Sequence, residues 1–301
     1  MSHPFSHLRG KELLRRVAQA FRSDNAYILR DSNIVFVCGG PVNEPTMRPR
    51  FLDYGRANLS HLRMFLAEEA ERDYITNEEA KVNDVGDFEE IIGEIADCLI
   101  IFPESAGSFA ELGFFSRNDK LSTKILIVND ATLQGQDSFI LRGPINRIDS
   151  VSKFSPAIQI EYKDNADFSL IKARLENRIV GKNRKKFSAK TYSALTRRDS
   201  FFAIFEIVRL FEVISLDGIA FAFRSIFSNV KLSELKKFLS ILVAAEFIRR
   251  GGDDQQYFCI NRSIKSFVEF DAFDEASFRF ELTDLYTQEF PDIAALVKGL
   301  S

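Results

Sequence analysis

The sequence predicts an α/β fold: a flavodoxin- or Rossmann-like parallel sheet domain followed by a winged-helix-like domain. Two observations carry this reading. Apolar, β-branched strand runs alternate with helical patterns from about residue 33 to 162. Such alternation implies a parallel sheet covered on both faces. Residues 200–262 then read as three helices and a β-hairpin, the order of a winged helix. Around these, 1–32 reads as an N-terminal helix, 166–199 as a basic connector and 263–301 as terminal helices. A length of 301 residues suits about two domains of ordinary size.

In chain order, residues 8–22 form an amphipathic helix. Asn33–Cys38 is a strand that runs directly into Gly39-Gly40-Pro41. Residues 49–71 make the next helix, with Phe51, Leu52, Leu59, Leu62, Phe65 and Leu66 near helical spacing. Tyr74-Ile75 reads as a short strand, and 86–97 as a helix with Phe88, Ile91, Ile92 and Ile95 on one face. Cys98–Phe102 is an apolar strand, and a helix begins near Ser108. Lys124–Val128 and Ile158–Tyr162 complete the sheet. Further on, Phe201–Ile214, Asp217–Phe227 and Ser233–Phe247 are helical, the third burying Leu235, Phe238, Leu239, Leu242 and Val243. Residues 247–260 make two strands around a Gly251-Gly252-Asp253-Asp254 turn.

Composition narrows the class. Hydrophobic content of 46% and charged content of 28% describe a globular protein. The net charge of −3 argues against a generic nucleic-acid binder. Cys38, Cys98 and Cys259 lack paired spacing, so buried free thiols in a reducing cytoplasm fit better than disulfides or zinc. His3 and His7 account for two of three histidines, which disfavours a His-based metal centre. Neither a secretory apolar core nor a run of about 18 apolar residues is present, so no membrane span is expected. Thirty phenylalanines and no tryptophan read as core-filling aromatics.

Charge is segregated along the chain. Between Lys172 and Arg198 ten basic residues face one acid, Glu176. The stretch reads either as a solvated helix and linker face or as a phosphate-contacting strip through Lys182, Arg184, Lys185, Lys186 and Lys190. The third helix of the 200–262 region adds Lys236 and Lys237 as candidate nucleic-acid contacts. Residues 269–292 are predominantly acidic.

The candidate chemistry lies in the run Leu99–Gly113. An apolar strand ends at Phe102, a turn of Pro103 and small residues follows, and the next helix carries Glu111. Open α/β sheets bind sugar-phosphate ligands at such strand ends. Gly107-Ser108 permits close backbone approach, and Gly39-Gly40 offers a second such loop. Taken alone, Glu111 reads better as a surface helix residue favoured near a helix N-terminus. With both loops beside it, it reads as the catalytic carboxylate. Cleaving an N-glycosidic bond builds positive charge on the anomeric carbon, which a carboxylate stabilises or attacks. Nicotinamide leaves from an already cationic ring nitrogen and needs no acid, whereas a purine leaving group usually does. A single carboxylate therefore favours NAD as substrate, with no cofactor. Arg48 and Arg50 are candidates for holding phosphate, or solvated loop residues; Glu78 and Glu79 for binding base or ribose hydroxyls, or ordinary loop acids. Asp97 reads as a helix-end residue.

Val37-Cys38-Gly39-Gly40, together with Phe102-Pro103-Glu104-Ser105-Ala106-Gly107-Ser108-Phe109-Ala110-Glu111-Leu112-Gly113, resembles the nucleoside 2-deoxyribosyltransferase-like effectors of bacterial retrons. The resemblance is clear over about 33–130 and looser over 200–260, and it names 33–165 as the transferase-like domain. It implies an anti-phage toxin, restrained by a reverse transcriptase carrying RNA-linked multicopy single-stranded DNA, in a higher-order assembly. It also implies Glu111 as nucleophile or charge stabiliser, with Gly39, Gly40, Gly107 and Ser108 as the small-residue loops. Ser108 stands where deoxyribosyltransferases carry Thr, and Glu104 and Ser105 stand near their base-binding Asp. The basic connector then becomes a contact strip for the multicopy DNA or its RNA. Two alternatives stand beside an NAD glycohydrolase: a nucleoside or deoxynucleotide glycosidase or deoxyribosyltransferase, and a non-enzymatic DNA-binding regulator.

Overall fold

The computed structural model describes residues 3–29, 33–78, 85–133, 137–179, 184–187, 191–228 and 230–300. The first half contains α1 (Leu8–Arg22), β1 (Ala26–Leu29), β2 (Ile34–Cys38), α2 (Met47–Asn58), β3 (Arg63–Phe65), α3 (Ala67–Glu78) and α4 (Val85–Ile95). There follow β4 (Cys98–Ile101), α5 (Ala106–Ser116), α6 (Asp119–Ser122), β5 (Ile125–Asp130), α7 (Asn146–Val151), β6 (Ile158–Ile160) and α8 (Ser169–Arg178). The remainder comprises β7 (Arg184–Lys186), α9 (Arg197–Phe211), β8 (Val213–Ser215), α10 (Leu216–Phe227) and α11 (Leu232–Ala244). It ends with β9 (Ile248–Gly251), β10 (Tyr257–Ile260), β11 (Val268–Phe270), α12 (Glu275–Glu289) and α13 (Pro291–Lys298).

These elements form two compact units. A sheet unit comprises Asp31–Ala67 and Gly86–Gly181; a helical unit comprises Met1–Arg30, Glu68–Val85 and Lys182–Ser301. In the sheet unit five strands pair in parallel, in the order β3-β2-β4-β5-β6. Every residue of β2 and β4 is buried, as expected of strands packed on both faces. Side-chain alternation divides them. Val35, Val37, Cys98, Ile100, Leu126 and Val128 pack with Met47, Phe51 and Leu52 of α2 and with Ile171 and Leu175 of α8. Phe36 points to the opposite face, where its ring meets Phe115 of α5 edge-on at 6.3 Å. The order reverses between β2 and β4, so the loops leaving these strands diverge and open a crevice at their carboxyl ends.

The helical unit carries two antiparallel three-stranded sheets, β8-β10-β9 and β11-β1-β7. Phe201, Phe205, Phe247 and Phe267 interlock around α9 with centroid separations of 5.2–6.2 Å. At the end of α9, Glu206 is fully buried and binds Arg209. Arg209 also binds Glu275 of α12 at 2.7 Å, and Glu275 binds Arg279. Elsewhere in this unit, Arg250 makes two 2.9 Å bonds to Asp73 of α3, with the side chains 8% and 11% exposed. Its guanidinium also lies 4.8 Å from the centre of the Phe258 ring. No described helix is long and apolar enough to cross a membrane.

Several expected elements differ. Tyr74-Ile75 is helical, not a strand: Ala67, Ala70 and Tyr74 are buried at helical spacing, and Glu68 and Glu69 favour the positive end of α3. The helix expected over 49–71 stops at Asn58, and Arg63–Phe65 joins the sheet beside β2. Leu59, Leu62 and Leu66 share helical spacing with Phe51 but are buried from separate elements around the sheet. The segments expected as an N-terminal helix, basic connector and terminal helices each also contribute a strand to one sheet: β1, β7 and β11.

Replacing Asp73 by Ala should destabilise the chain by about 3 kcal/mol, because it removes the carboxylate that accepts two bonds from the buried Arg250 guanidinium; chemical denaturation measures the loss. The bonds from Arg209 hold the Glu275 carboxyl down at about 2, against an ordinary value of 4.5. That contribution is present above about pH 4.5 and fades as pH falls toward 2. Burial raises the Glu206 carboxyl instead, so its own pH dependence lies above 4.5 and runs in the opposite sense. Glu275→Gln should therefore flatten the fall in melting temperature below pH 4.5.

Candidate active site

The crevice at the reversal between β2 and β4 is built from two loops. After β2, Gly39 and Gly40 turn the chain toward α2. A Cβ on Gly39 would lie 2.7 Å from the Arg48 Cβ and 2.9 Å from Glu104 Oε1. One on Gly40 would lie 2.6 Å from Thr46 Cγ2. Only glycine fits at either position without displacing these neighbours.

After β4, Ser105 caps α5 and Ser108 completes a capping box. The fully buried Ser108 hydroxyl accepts from the backbone N–H groups of Glu104 (3.0 Å) and Ser105 (2.9 Å) and donates to the Ser105 carbonyl (2.9 Å). Gly107 is exposed in the first turn of α5, where a Cβ would meet only Ser105 Oγ at 3.9 Å. At Gly39 and Gly40 the close approach is to side chains of the same chain, whereas Gly107 has no such close neighbour.

Glu104 joins the two loops. Its Oε1 accepts the N–H groups of Gly40 (2.8 Å) and Arg48 (3.0 Å), and its Oε2 that of Met47 (2.6 Å). Met47 and Arg48 open α2, so this carboxylate caps the helix from another loop. Behind it, Tyr162 donates to the Val128 carbonyl at 2.5 Å. Burial pushes the Tyr162 hydroxyl pKa up, and the Glu104 and Asp130 charges push it further.

Glu111 sits one turn further along α5. It is half-buried, and its Oε2 is shielded from solvent. The side chain lies near the last residue of β2, close enough for its charge to act on the buried Cys38 thiol. Burial raises the Cys38 pKa well above its usual value, and the charges of Glu111 and of Glu89 on α4 add to the effect. The thiol therefore stays neutral. Arg48 is 7% exposed and brings a positive charge close enough to oppose that rise. Sequence reasoning missed the roles of Cys38 and Glu89. The position of Cys38 directly before Gly39-Gly40 was the available signal, whereas nothing in the local sequence marks Glu89.

The remaining predicted residues are dispersed. Arg50 pairs with Asp164, beyond β6. Asp97 accepts from the Ile34 N–H at 3.3 Å, so it serves the start of β2. The Glu78 side chain, Glu79, Lys182 and Lys190 lie outside the described residues. Arg184, Lys185 and Lys186 form β7, and each is paired within its own unit. Arg184 binds Glu269 and Asp271, Lys185 binds Asp199, and Lys186 binds Asp24. Lys236 and Lys237 are half-buried on α11. No group of three or more His, Cys, Asp or Glu able to hold a metal occurs among the described residues.

Comparison with known proteins places this geometry in context. A sequence model of the STM3845 retron effector protein family matches residues 44–250. The chain is 36% identical over 124 residues to the Escherichia coli "Retron Ec73 putative ribosyltransferase/DNA-binding protein", covering 40% of this chain and 39% of the relative. It is 35% identical over 120 residues to the "Retron Ec86 putative ribosyltransferase/DNA-binding protein" of the same species, covering 38% of each. The matches thus span about two fifths of these relatives.

Gly39→Ala should cost about 1–3 kcal/mol in chemical denaturation, because its new methyl group collides with Arg48 and Glu104. Gly107→Ala makes only an ordinary contact with Ser105 Oγ and should leave the unfolding midpoint unchanged or slightly raised.

Proposed function

The chain belongs to the STM3845 retron effector family, and on that premise we propose that it is the toxin of an anti-phage retron and cleaves the N-glycosidic bond of NAD or a related nucleotide. The observation that carries this reading is the shielded Glu111 carboxylate beside the buried Cys38 thiol at the sheet reversal. A carboxylate withdrawn from water interacts more strongly with a developing cation than one in bulk solvent does. The strand order β3-β2-β4-β5-β6 is that of a flavodoxin-like sheet, whose ligands occupy this reversal. The names of the Ec73 and Ec86 relatives include a ribosyltransferase, which agrees with chemistry at a sugar carbon.

In the proposed reaction the bond between C1′ and nicotinamide breaks. Its electron pair returns to the ring nitrogen and discharges the cation. Glu111 faces the positive charge left on the sugar, either directly or by forming a transient ester. Water then adds to C1′ and releases one proton. NAD is the substrate, and no cofactor takes part. A reverse transcriptase with its multicopy DNA and RNA restrains the effector until infection disturbs the complex. Transfer or hydrolysis on other nucleosides uses the same carboxylate and differs in the base released.

A DNA-binding role has its own support in the helical unit. The succession α9-β8-α10-α11-β9-β10, with sheet order β8-β10-β9, supports a winged-helix reading, and both relatives are named DNA-binding. The contact helix in that reading is α11, with Lys236 and Lys237. Residues 184–186 are less suited to phosphate, because carboxylates of the same unit meet their charges.

Purified, partner-free effector should convert NAD to nicotinamide and ADP-ribose. Glu111→Gln should lower the rate by about 10²-fold or more while leaving the melting temperature near that of the parent. Intact NAD under activating conditions, or equal turnover by the variant, would overturn the reading. Release of another base would redirect it to nucleosides. Toxicity retained by Glu111→Gln but lost on Lys236 and Lys237 substitution would favour the DNA-binding regulator.

A further inference from the structure

We propose that Glu104 is the built-in occupant of an anion cradle at the start of α2, and that it sets specificity by keeping substrate phosphate off this helix end. The cradle consists of three backbone N–H groups, from Gly40, Met47 and Arg48, all directed at one carboxylate at 2.6–3.0 Å. It follows a sheet strand through a glycine pair and opens a helix of 12 residues. In open α/β folds, the helix end after such a loop is where phosphate commonly sits, bound by amides and the helix dipole. Here the anion is supplied by the chain itself, with both oxygens engaged.

Glu104 is also held from behind. Its own N–H donates to the buried Ser108 hydroxyl at 3.0 Å, so the capping box of α5 fixes the backbone from which the carboxylate reaches α2. The Gly39 backbone lies so close to Oε1 that a Cβ there would be 2.9 Å away. An incoming phosphate would therefore have to displace a carboxylate of its own sign from three donors. The consequence rests on the glycosidic reading: phosphates of the substrate are turned away from α2, and the uncharged sugar and base occupy the space beside Glu111. Glu104 is thus a positioning residue that touches no reacting atom.

The test uses the full chain, with inorganic pyrophosphate as probe and amide NMR as readout. Pyrophosphate should cause no saturable shift at Gly40, Met47 and Arg48 in the parent protein. Glu104→Ser should create saturable binding that shifts those three amides. Equal affinity of the parent through the same amides, or no binding by a folded Glu104→Ser chain, would overturn the proposal. If the serine variant fails to fold, Glu104→Gln decides by hydrogen exchange. It keeps the side-chain volume but loses the charge, and should reduce protection of the three amides by about 10-fold or more. Unchanged protection would overturn the proposal. Neither readout needs turnover. Glu111→Gln should respond to pyrophosphate as the parent does, so failure of the cradle is distinguishable from failure of the glycosidic reading.

Discussion

The proposed chemistry depends on one carboxylate that takes no part in it. Glu104 binds the amides of Gly40, Met47 and Arg48 from the far side of the crevice. It thereby ties the loop after β2 to the loop after β4. In a parallel sheet with the order β3-β2-β4, those loops lead to helices on opposite faces, and backbone pairing does not hold them together above the sheet edge. A charge-assisted contact from one to the other supplies what the ladder cannot. The glycine pair makes the contact possible, since any side chain at Gly39 would occupy the space needed by Arg48 and Glu104.

On this scaffold the electrostatics of Glu111 follow from its surroundings. A fully ionised carboxylate in water is well solvated and a weak partner for a developing cation. Here one oxygen is shielded, and a buried thiol lies nearby, kept neutral by burial and by the Glu111 and Glu89 charges. A neutral thiol beside the carboxylate leaves its charge uncancelled. Arg48 lies close enough to favour the ionised form of neighbouring groups, so the site balances one buried cation against nearby acids.

The helical unit uses charge differently. Its basic strand β7 is met by Asp24, Asp199, Glu269 and Asp271. The segregation of basic and acidic stretches along the chain is thus partly complementarity within one unit: Arg184 of the basic stretch pairs with Glu269 and Asp271 of the acidic one. Exposed pairs of this kind add little stability singly. Buried pairs such as Asp73–Arg250 and Glu206–Arg209 carry larger consequences when one partner is removed, since the other loses a charge partner away from water.

The sequence by itself determined the parallel sheet and the position of Glu111. Fully apolar runs such as Ile34–Cys38 and Cys98–Ile101 permit little except strands buried on both faces, and Ser105 through Ser108 encode a helix start in four residues. Those signals are local. Only the tertiary structure decided that Glu104 serves a helix 57 positions earlier at Met47, that Cys38 lies near Glu111, and that three basic residues form a strand paired with its own chain. The helix expected over 49–71 failed for a related reason: Phe51, Leu59 and Leu62 keep helical spacing while they are buried from different elements. The strand β3, three residues long, is likewise specified by its pairing with β2 rather than by its own sequence. Periodicity reports which residues avoid water, whereas the partner that satisfies a charge or a backbone amide is fixed only when distant segments meet.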